Sequence, residues 1–316
     1  MAVTLAQAKL NVTDDLQLGI IDEFAKSSYI LNTIPFHDCV SPVGGGATLT
    51  YGYTRLVTQP LAEFRMVNGE YQTHEVEKQR YTTDLKVFGG AYEVDRVIAD
   101  MGGLADEVTL QASQKVKAVS ALFSDTVING NSSTDALVFD GLDVAVTGTD
   151  TEYIPTATID LSTTEAVDAN YKVFVDQLDE WRSNLENIDA FLCNSKMLAK
   201  FRAVARRMGT YQETKNEFGQ KVEYFDGIPF VDLGAKPGTN DPIIGIDENG
   251  ETTIYAVHFG MDGFHAISMA GQPPVKTWLP DFSTSGAVKK GEVEMIAGCA
   301  LKSTKAAGAF RKIKVK

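Results

Sequence analysis

The residues able to do chemistry are few, and their spacing gives them little to do. His37, His74, His258 and His265 form neither an HxH pair nor an HExxH box, so no metal centre is expected. No GxSxG elbow is present, and spacing nominates no Ser-His-Asp set. Gly44-Gly45-Gly46 lacks both GxGxxG spacing and a Walker lysine, and reads as a flexible joint. Asp247-Glu248-Asn249-Gly250 hints at a calcium loop but lacks the ligand spacing and the distal glutamate. A hairpin turn accounts for it better. Cys39, Cys193 and Cys299 are odd in number, far apart and without a CxxC pair, so they read as small buried hydrophobes. Lys196, Lys200, Arg202, Arg206 and Arg207 crowd one short stretch. They could contact phosphates, pair with a neighbour's acids or form a solvated face. The expectation is a protein with no catalytic residue, no cofactor and no metal.

Composition points the same way. The chain has 316 residues, 44% hydrophobic and 22% charged, enough for one large domain or two modest ones. A net charge of -13 argues against a dedicated nucleic-acid binder, which carries a basic stripe. An acidic protein can still enclose DNA that it does not grip. Residues 1–10 hold one lysine and no long apolar run, so no signal peptide is expected, and no window approaches a membrane span of ~20 apolar residues.

The elements follow from periodicity. Leu16, Ile20, Ile21 and Phe24 predict a helix over 14–27, with 29–36 an extended apolar arm. Leu49, Tyr51 and Tyr53 alternate with threonines as a strand does, and a second strand-like run covers 81–97. Between them lies a polar excursion with Asn68-Gly69 as its turn. Glu63, Arg65, Glu70, Glu75, Glu77, Lys78 and Arg80 charge this ribbon along its length. A two-stranded ribbon is marginal alone, so it must lie on something: a neighbouring subunit or an active site of its own chain.

Leu104, Val108, Ala112, Val116, Val119, Phe123 and Val127 predict a helix over 103–128, set between Gly102-Gly103 and Asn129-Gly130. Residues 137–142 read as a short strand and 146–160 as a loop. Ser162-Thr163-Thr164-Glu165 reads as a capping box opening a helix that packs on a sheet through Val167, Tyr171, Phe174, Leu178 and Trp181. Then come a buried strand at 190–193, a helix over 196–208 capped by Asn194 or Ser195 and stopped by Gly209, and a strand at 227–232. A hairpin follows, with arms 243–246 and 253–257. The rest is strand-like, and the alternating lysines of 311–316 suit an exposed edge. The fold class is α+β.

The order of these segments resembles the tailed-bacteriophage major capsid proteins of the Hong Kong 97-like fold. The arm looks like Asp22-Glu23-Phe24-Ala25 through Ile34-Pro35-Phe36, the extended loop like 44–95 and the spine helix like 103–129. Phe139-Asp140-Gly141-Leu142, residues 191–198 and Gly227-Ile228-Pro229-Phe230 are similar to turns and strands of that family. The resemblance implies an N-terminal arm (1–43), an extended β loop (44–97), a peripheral domain with the spine helix (98–159 and 255–316) and an inserted axial domain (160–254). It implies hexamers and pentamers closing an icosahedral head around double-stranded DNA, without sequence-specific binding. A separate scaffolding protein, a portal and a decoration protein are the implied partners; the location is the virion, assembled in the host cytoplasm, with no membrane. Phe24, Ile34, Phe36, Glu63, Arg65, Glu70, Glu77, Lys78 and Arg80 become candidates for inter-subunit contact. Lys196, Lys200, Arg206 and Arg207 become candidates for phosphate or neighbour contact. The alternatives are a bacterial encapsulin-type nanocompartment shell, a soluble α+β enzyme with the ribbon as a flap, and a tail or baseplate protein.

Overall fold

The computed structural model describes residues 29–41, 48–58, 60–100, 107–209, 214–215 and 221–316. The helix expected over 14–27, with Phe24, lies outside the described residues, as do Gly44-Gly45-Gly46 and Gly102-Gly103.

A short helix α1 (Tyr29–Thr33) leads into strand β1 (Phe36–Val40). β2 (Thr50–Leu56) and β3 (Lys78–Asp84) form the ribbon, and β4 (Lys86–Asp95) runs on into α2 (Arg96–Asp100). The spine is α3 (Glu107–Asn129), roughly 35 Å at 1.5 Å per residue. It buries Val119, Phe123 and Val127, one side chain per turn. Its end is fixed by close approach: a Cβ on Gly130 would sit 2.2 Å from the Phe139 carbonyl oxygen, and the Gly141 amide donates to the Gly130 carbonyl at 2.8 Å. Beyond it come α4 (Leu142–Val146), β5 (Glu152–Tyr153), β6 (Ile159–Asp160), α5 (Thr164–Ser183), β7 (Ala190–Cys193) and α6 (Ser195–Met208). Next are β8 (Thr214–Lys215), β9 (Lys221–Phe225), β10 (Ile228–Asp232) and β11 (Glu251–Val257). The chain finishes with β12 (Phe264–Met269), β13 (Val275–Trp278), β14 (Val288–Leu301) and β15 (Ala307–Lys314).

Two larger sheets organise these strands. One runs β1-β12-β14-β13, with β4 also on β14. β14 is long enough to serve two sets of partners: Phe264–Ile267 of β12 meet its C-terminal end, and β4 pairs along it from Val288↔Asp95 to Ala297↔Lys86. The spine helix covers this sheet, with Phe123 stacked against Phe36 and Phe88. The other sheet runs β5-β15-β11-β7-β10-β9-β8, with β6 also on β15. α5 and α6 bury Phe174, Leu178, Trp181, Met197 and Phe201 against it. Asn194 caps α6 by accepting from the Met197 amide at 2.8 Å, while its Nδ2 donates to the Ile244 carbonyl and the Thr252 hydroxyl. At the other end Gly209 adopts φ 70°, as a left-handed cap requires. Arg311 of β15 ties α4 and β5 together through Asp143 and Glu152, and Asp143 also accepts from the buried Tyr255 hydroxyl at 2.8 Å.

The α+β class holds, but several local expectations give way. Residues 29–33 are helical, because Ile30 turns into the core beside the spine and one turn suffices to reach it. The strand-like run 81–97 is two strands: β3 stays in the ribbon, while β4 leaves at Leu85 to pair with β14. Residues 137–141 are irregular and Leu142 already opens α4, the chain being bent by the glycine contacts at the spine's end. The cap of α5 is Thr163, whose hydroxyl accepts from the Ala166 amide at 3.1 Å, so Ser162 and Glu165 do not form the expected box. The turn at 247–250 is present, with the Gly250 amide donating to the Asp247 carbonyl, but 243–246 is not a strand. Finally, β15 is an inner strand between β11 and β5/β6, because Phe310 and Ile313 are wholly buried.

Candidate assembly interface

Among the described residues, the ribbon grips its own chain at its root. Tyr51, Tyr53 and Tyr81 stack in a ladder, with centroids 5.9 and 5.8 Å apart. The Tyr53 hydroxyl donates to the Leu301 carbonyl at 2.8 Å. Arg55 Nε donates to the Lys302 carbonyl at 2.8 Å, its Nη2 donates to the Leu301 carbonyl, and its guanidinium lies 4.4 Å from the centroid of the Tyr81 ring. Burial raises the Tyr53 phenol pKa, with the Arg55 charge opposing. Below the ladder, Val40, Leu85, Ile267 and Ala300 form a small apolar core that joins the ribbon to the first sheet.

Beyond Leu56 the ribbon leaves the body. Residues 60–80 are exposed throughout. The tip turns at Met66–Gly69, where Asn68 takes φ 68° and the Gly69 amide donates to the Met66 carbonyl at 3.0 Å. Cross-ribbon bonds hold its shape: Glu63 accepts from the Gln72 amide, and the Glu77 amide donates to the Thr58 hydroxyl. Arg65 donates to the Gly69 carbonyl and lies over Tyr71. The tip also carries Leu61, Phe64, Met66, Val67 and Tyr71 with most of their surface in water. Exposed apolar clusters of this kind are, as a general rule, features of interaction surfaces.

Of the candidate contact residues, Glu63, Arg65, Glu70, Glu77, Lys78 and Arg80 all lie on this exposed ribbon. Ile34 and Phe36 do not join them: Ile34 is buried in the chain's own core and Phe36 stacks on the spine. The basic residues of α6 are largely engaged within the chain. Arg202 pairs with Glu223 and Arg207 with Asp168. Lys200 donates to the Ser162 carbonyl at 2.5 Å, and Arg206 Nε to the Arg202 carbonyl at 3.3 Å. Lys196 borders a shallow cleft of about 570 Å³ that also holds Asp241 and Asp247, so the opening mixes both signs of charge.

Sequence reasoning missed the residues that aim the ribbon: Arg55, the tyrosine ladder and their carbonyl partners Leu301, at the end of β14, and Lys302, just past it. Tyrosines alternating through β2 were visible, but nothing local announced a partner some 246 positions away. Among the described residues no cluster of three or more His, Cys, Asp or Glu could hold a metal ion. No described helix is long and apolar enough to cross a membrane.

No family model and no curated protein matches the chain. Solved structures do match it, over nearly its full length. A holo-SrpI encapsulin complex from Synechococcus elongatus PCC 7942 is 13% identical, covers 100% of this chain and 98% of its own, and superposes with a TM-score of 0.69. The capsid of a native GTA particle is 12% identical, with 99% of both chains covered and a TM-score of 0.62. A structure from Gordonia phage Cozz is 14% identical, covering 97% of this chain and 93% of its own, with a TM-score of 0.59. The chain has the Hong Kong 97-like fold. The match runs over the ribbon and α3 as well as the two sheets, since 97–100% of this chain is covered.

Proposed function

We propose that this chain is the shell-forming subunit of a tailed-phage head, assembling as hexamers and pentamers into a closed icosahedral container for double-stranded DNA. The observation that carries the reading is the ribbon: a rooted arm whose apolar tip no described residue of its own chain covers, on a fold matched end to end by capsid structures. Docked on a second copy, each of Phe64, Met66 and Leu61 would contribute roughly 1.5–3 kcal/mol on full burial. The net charge of -13 suits a container that does not bind its contents tightly. A separate scaffolding protein and a portal are the partners this reading proposes, with a decoration protein as a further candidate. The domain division 1–43, 44–97, 98–159 with 255–316, and 160–254 is part of the same proposal, with β4 crossing from the loop into the peripheral sheet.

A second reading has an observation of its own. The encapsulin structure covers the whole chain with a TM-score of 0.69, which supports a protein-filled nanocompartment built from the same subunit. Negative-stain electron microscopy with size-exclusion chromatography tests both, on the chain alone and co-expressed with its genetic neighbours. Closed polyhedra or five- and six-membered rings are expected; a strict monomer in both settings overturns the shell reading. Nuclease-resistant DNA inside the particles supports the phage head, and a protein cargo supports the nanocompartment.

A further inference from the structure

Behind the root of the ribbon sits an imidazole with no assigned role. His265 of β12 is wholly buried. Among the described residues neither of its ring nitrogens has a hydrogen-bond partner, nor does Nδ1 of the adjacent His37 on β1. Tyr51 of the ribbon stands edge-on to both rings, with centroids 5.6 Å from His37 and 6.0 Å from His265; the two imidazoles are 5.7 Å apart. Lys302, just past β14, places its ammonium 5.9 Å from the centroid of the Tyr51 ring. The acids nearby are turned elsewhere. Asp38 of β1 accepts from the Gly271 amide at 2.9 Å, and Asp84 of β3 accepts from the Thr50 hydroxyl at 2.6 Å. On β2, Tyr53 and Arg55 reach the Leu301 and Lys302 carbonyls. Cys39 of β1 and Cys299 of β14 are thiols whose pKa burial raises. A proton on His265 would therefore place a positive charge in an apolar joint beside Lys302, with no anion among the described residues facing it.

We propose that His265 is an acid-sensitive latch: neutral, it completes the packing that seats the ribbon on the body, and protonated, it frees the ribbon's root. The two unpaired nitrogens and the ring cluster carry the inference. Burial lowers the His265 pKa to about 4, and Lys302 pushes the same way; the Gly263 carbonyl opposes, from outside hydrogen-bond geometry. A ring released to water regains its ordinary value of about 6.5. The detached form thus takes up the proton more readily than the seated one. Its share is constant above about pH 6.5, grows as pH falls from there, and levels off below about 4. Those two values raise the detached-to-seated ratio about 30-fold between about pH 7.5 and about pH 5. The latch concerns how the ribbon sits on its own copy and does not depend on the shell reading.

Hydrogen exchange read by mass spectrometry on the full chain tests this, after correction for the intrinsic pH dependence of exchange. Segments 48–58 and 78–86 should lose protection by tens-fold between about pH 7.5 and about pH 5, while β7 and β11 keep theirs. His265→Phe should hold the ribbon at both pH values, and His37→Phe should behave as the unmodified chain. Equal acid loosening in His265→Phe, or none in the unmodified chain, overturns the latch. Should His265→Phe fail to fold, imidazole titration of the unmodified chain by NMR decides. A His265 midpoint near 4 that moves with the Tyr51 signals supports the latch; a midpoint near 6.5 overturns it.

Discussion

Arg55 links the ribbon to two consecutive carbonyls and lies over the face of Tyr81. Replacing it by alanine removes charged donors from two part-buried acceptors, at about 1–3 kcal/mol. The loss should be local: faster hydrogen exchange over residues 49–57, with the global urea midpoint hardly moved. Lysine should not restore protection, since a point charge cannot span two carbonyls; full rescue by lysine would refute this role. Arg311 is a different case. Its guanidinium holds Asp143 and Glu152, and Glu152 is 11% exposed. Arg311→Met leaves those carboxylates without their cation and should cost about 3–5 kcal/mol of global stability. A urea midpoint unchanged from the parent would contradict it. Neither arginine stood out in the sequence. Each occupies an ordinary position in an alternating strand, and its importance comes from acceptors brought near only by the finished fold.

Elements built from neighbours in the chain were legible. α5, α6 and β7 follow from apolar spacing, and the caps of α6 from Asn194 and Gly209. Asn194→Ala tests that logic beyond capping: the helix loses about 1 kcal/mol at its N-terminus, and the buried Ile244 carbonyl and Thr252 hydroxyl lose a donor, for about 2–4 kcal/mol in all. Thermal unfolding would measure it, and a loss under 1 kcal/mol would mean that the bridge to Ile244 is unimportant. What misled was context. One helical turn at Tyr29–Thr33 is too short to show a period. The lysines of 312–316 suggested an edge, yet alternation equally describes a strand whose other face is buried deeply. β4 looked like a continuation of β3, because its true partner, β14, lies nearly two hundred residues away.

At the scale of the molecule, the order and spacing of segments revealed more than any motif, since they carry the arrangement of elements that the matching solved structures share. The ribbon tip is where that arrangement is most open to test. Phe64→Ser with Met66→Ser leaves the isolated chain's stability within about 0.5 kcal/mol, because both side chains already face water. Assembly into rings or shells should fall at least tenfold at equal concentration, followed by light scattering. Normal assembly of this variant would remove the tip from the interface.

The division of labour along β14 carries a further implication. β1 waits for β12, β4 for β14, and β5 and β6 for β15. On a ribosome adding 5–20 residues per second, β4 emerges roughly 10–40 s before the strand that covers it. Both sheets are therefore closed by strands made long after the ones they cover, and contacts this distant in sequence form slowly. A nascent chain cannot anchor its ribbon through Tyr53 and Arg55 until Leu301 and Lys302 have been made, so the ribbon waits unseated for most of the time that separates them.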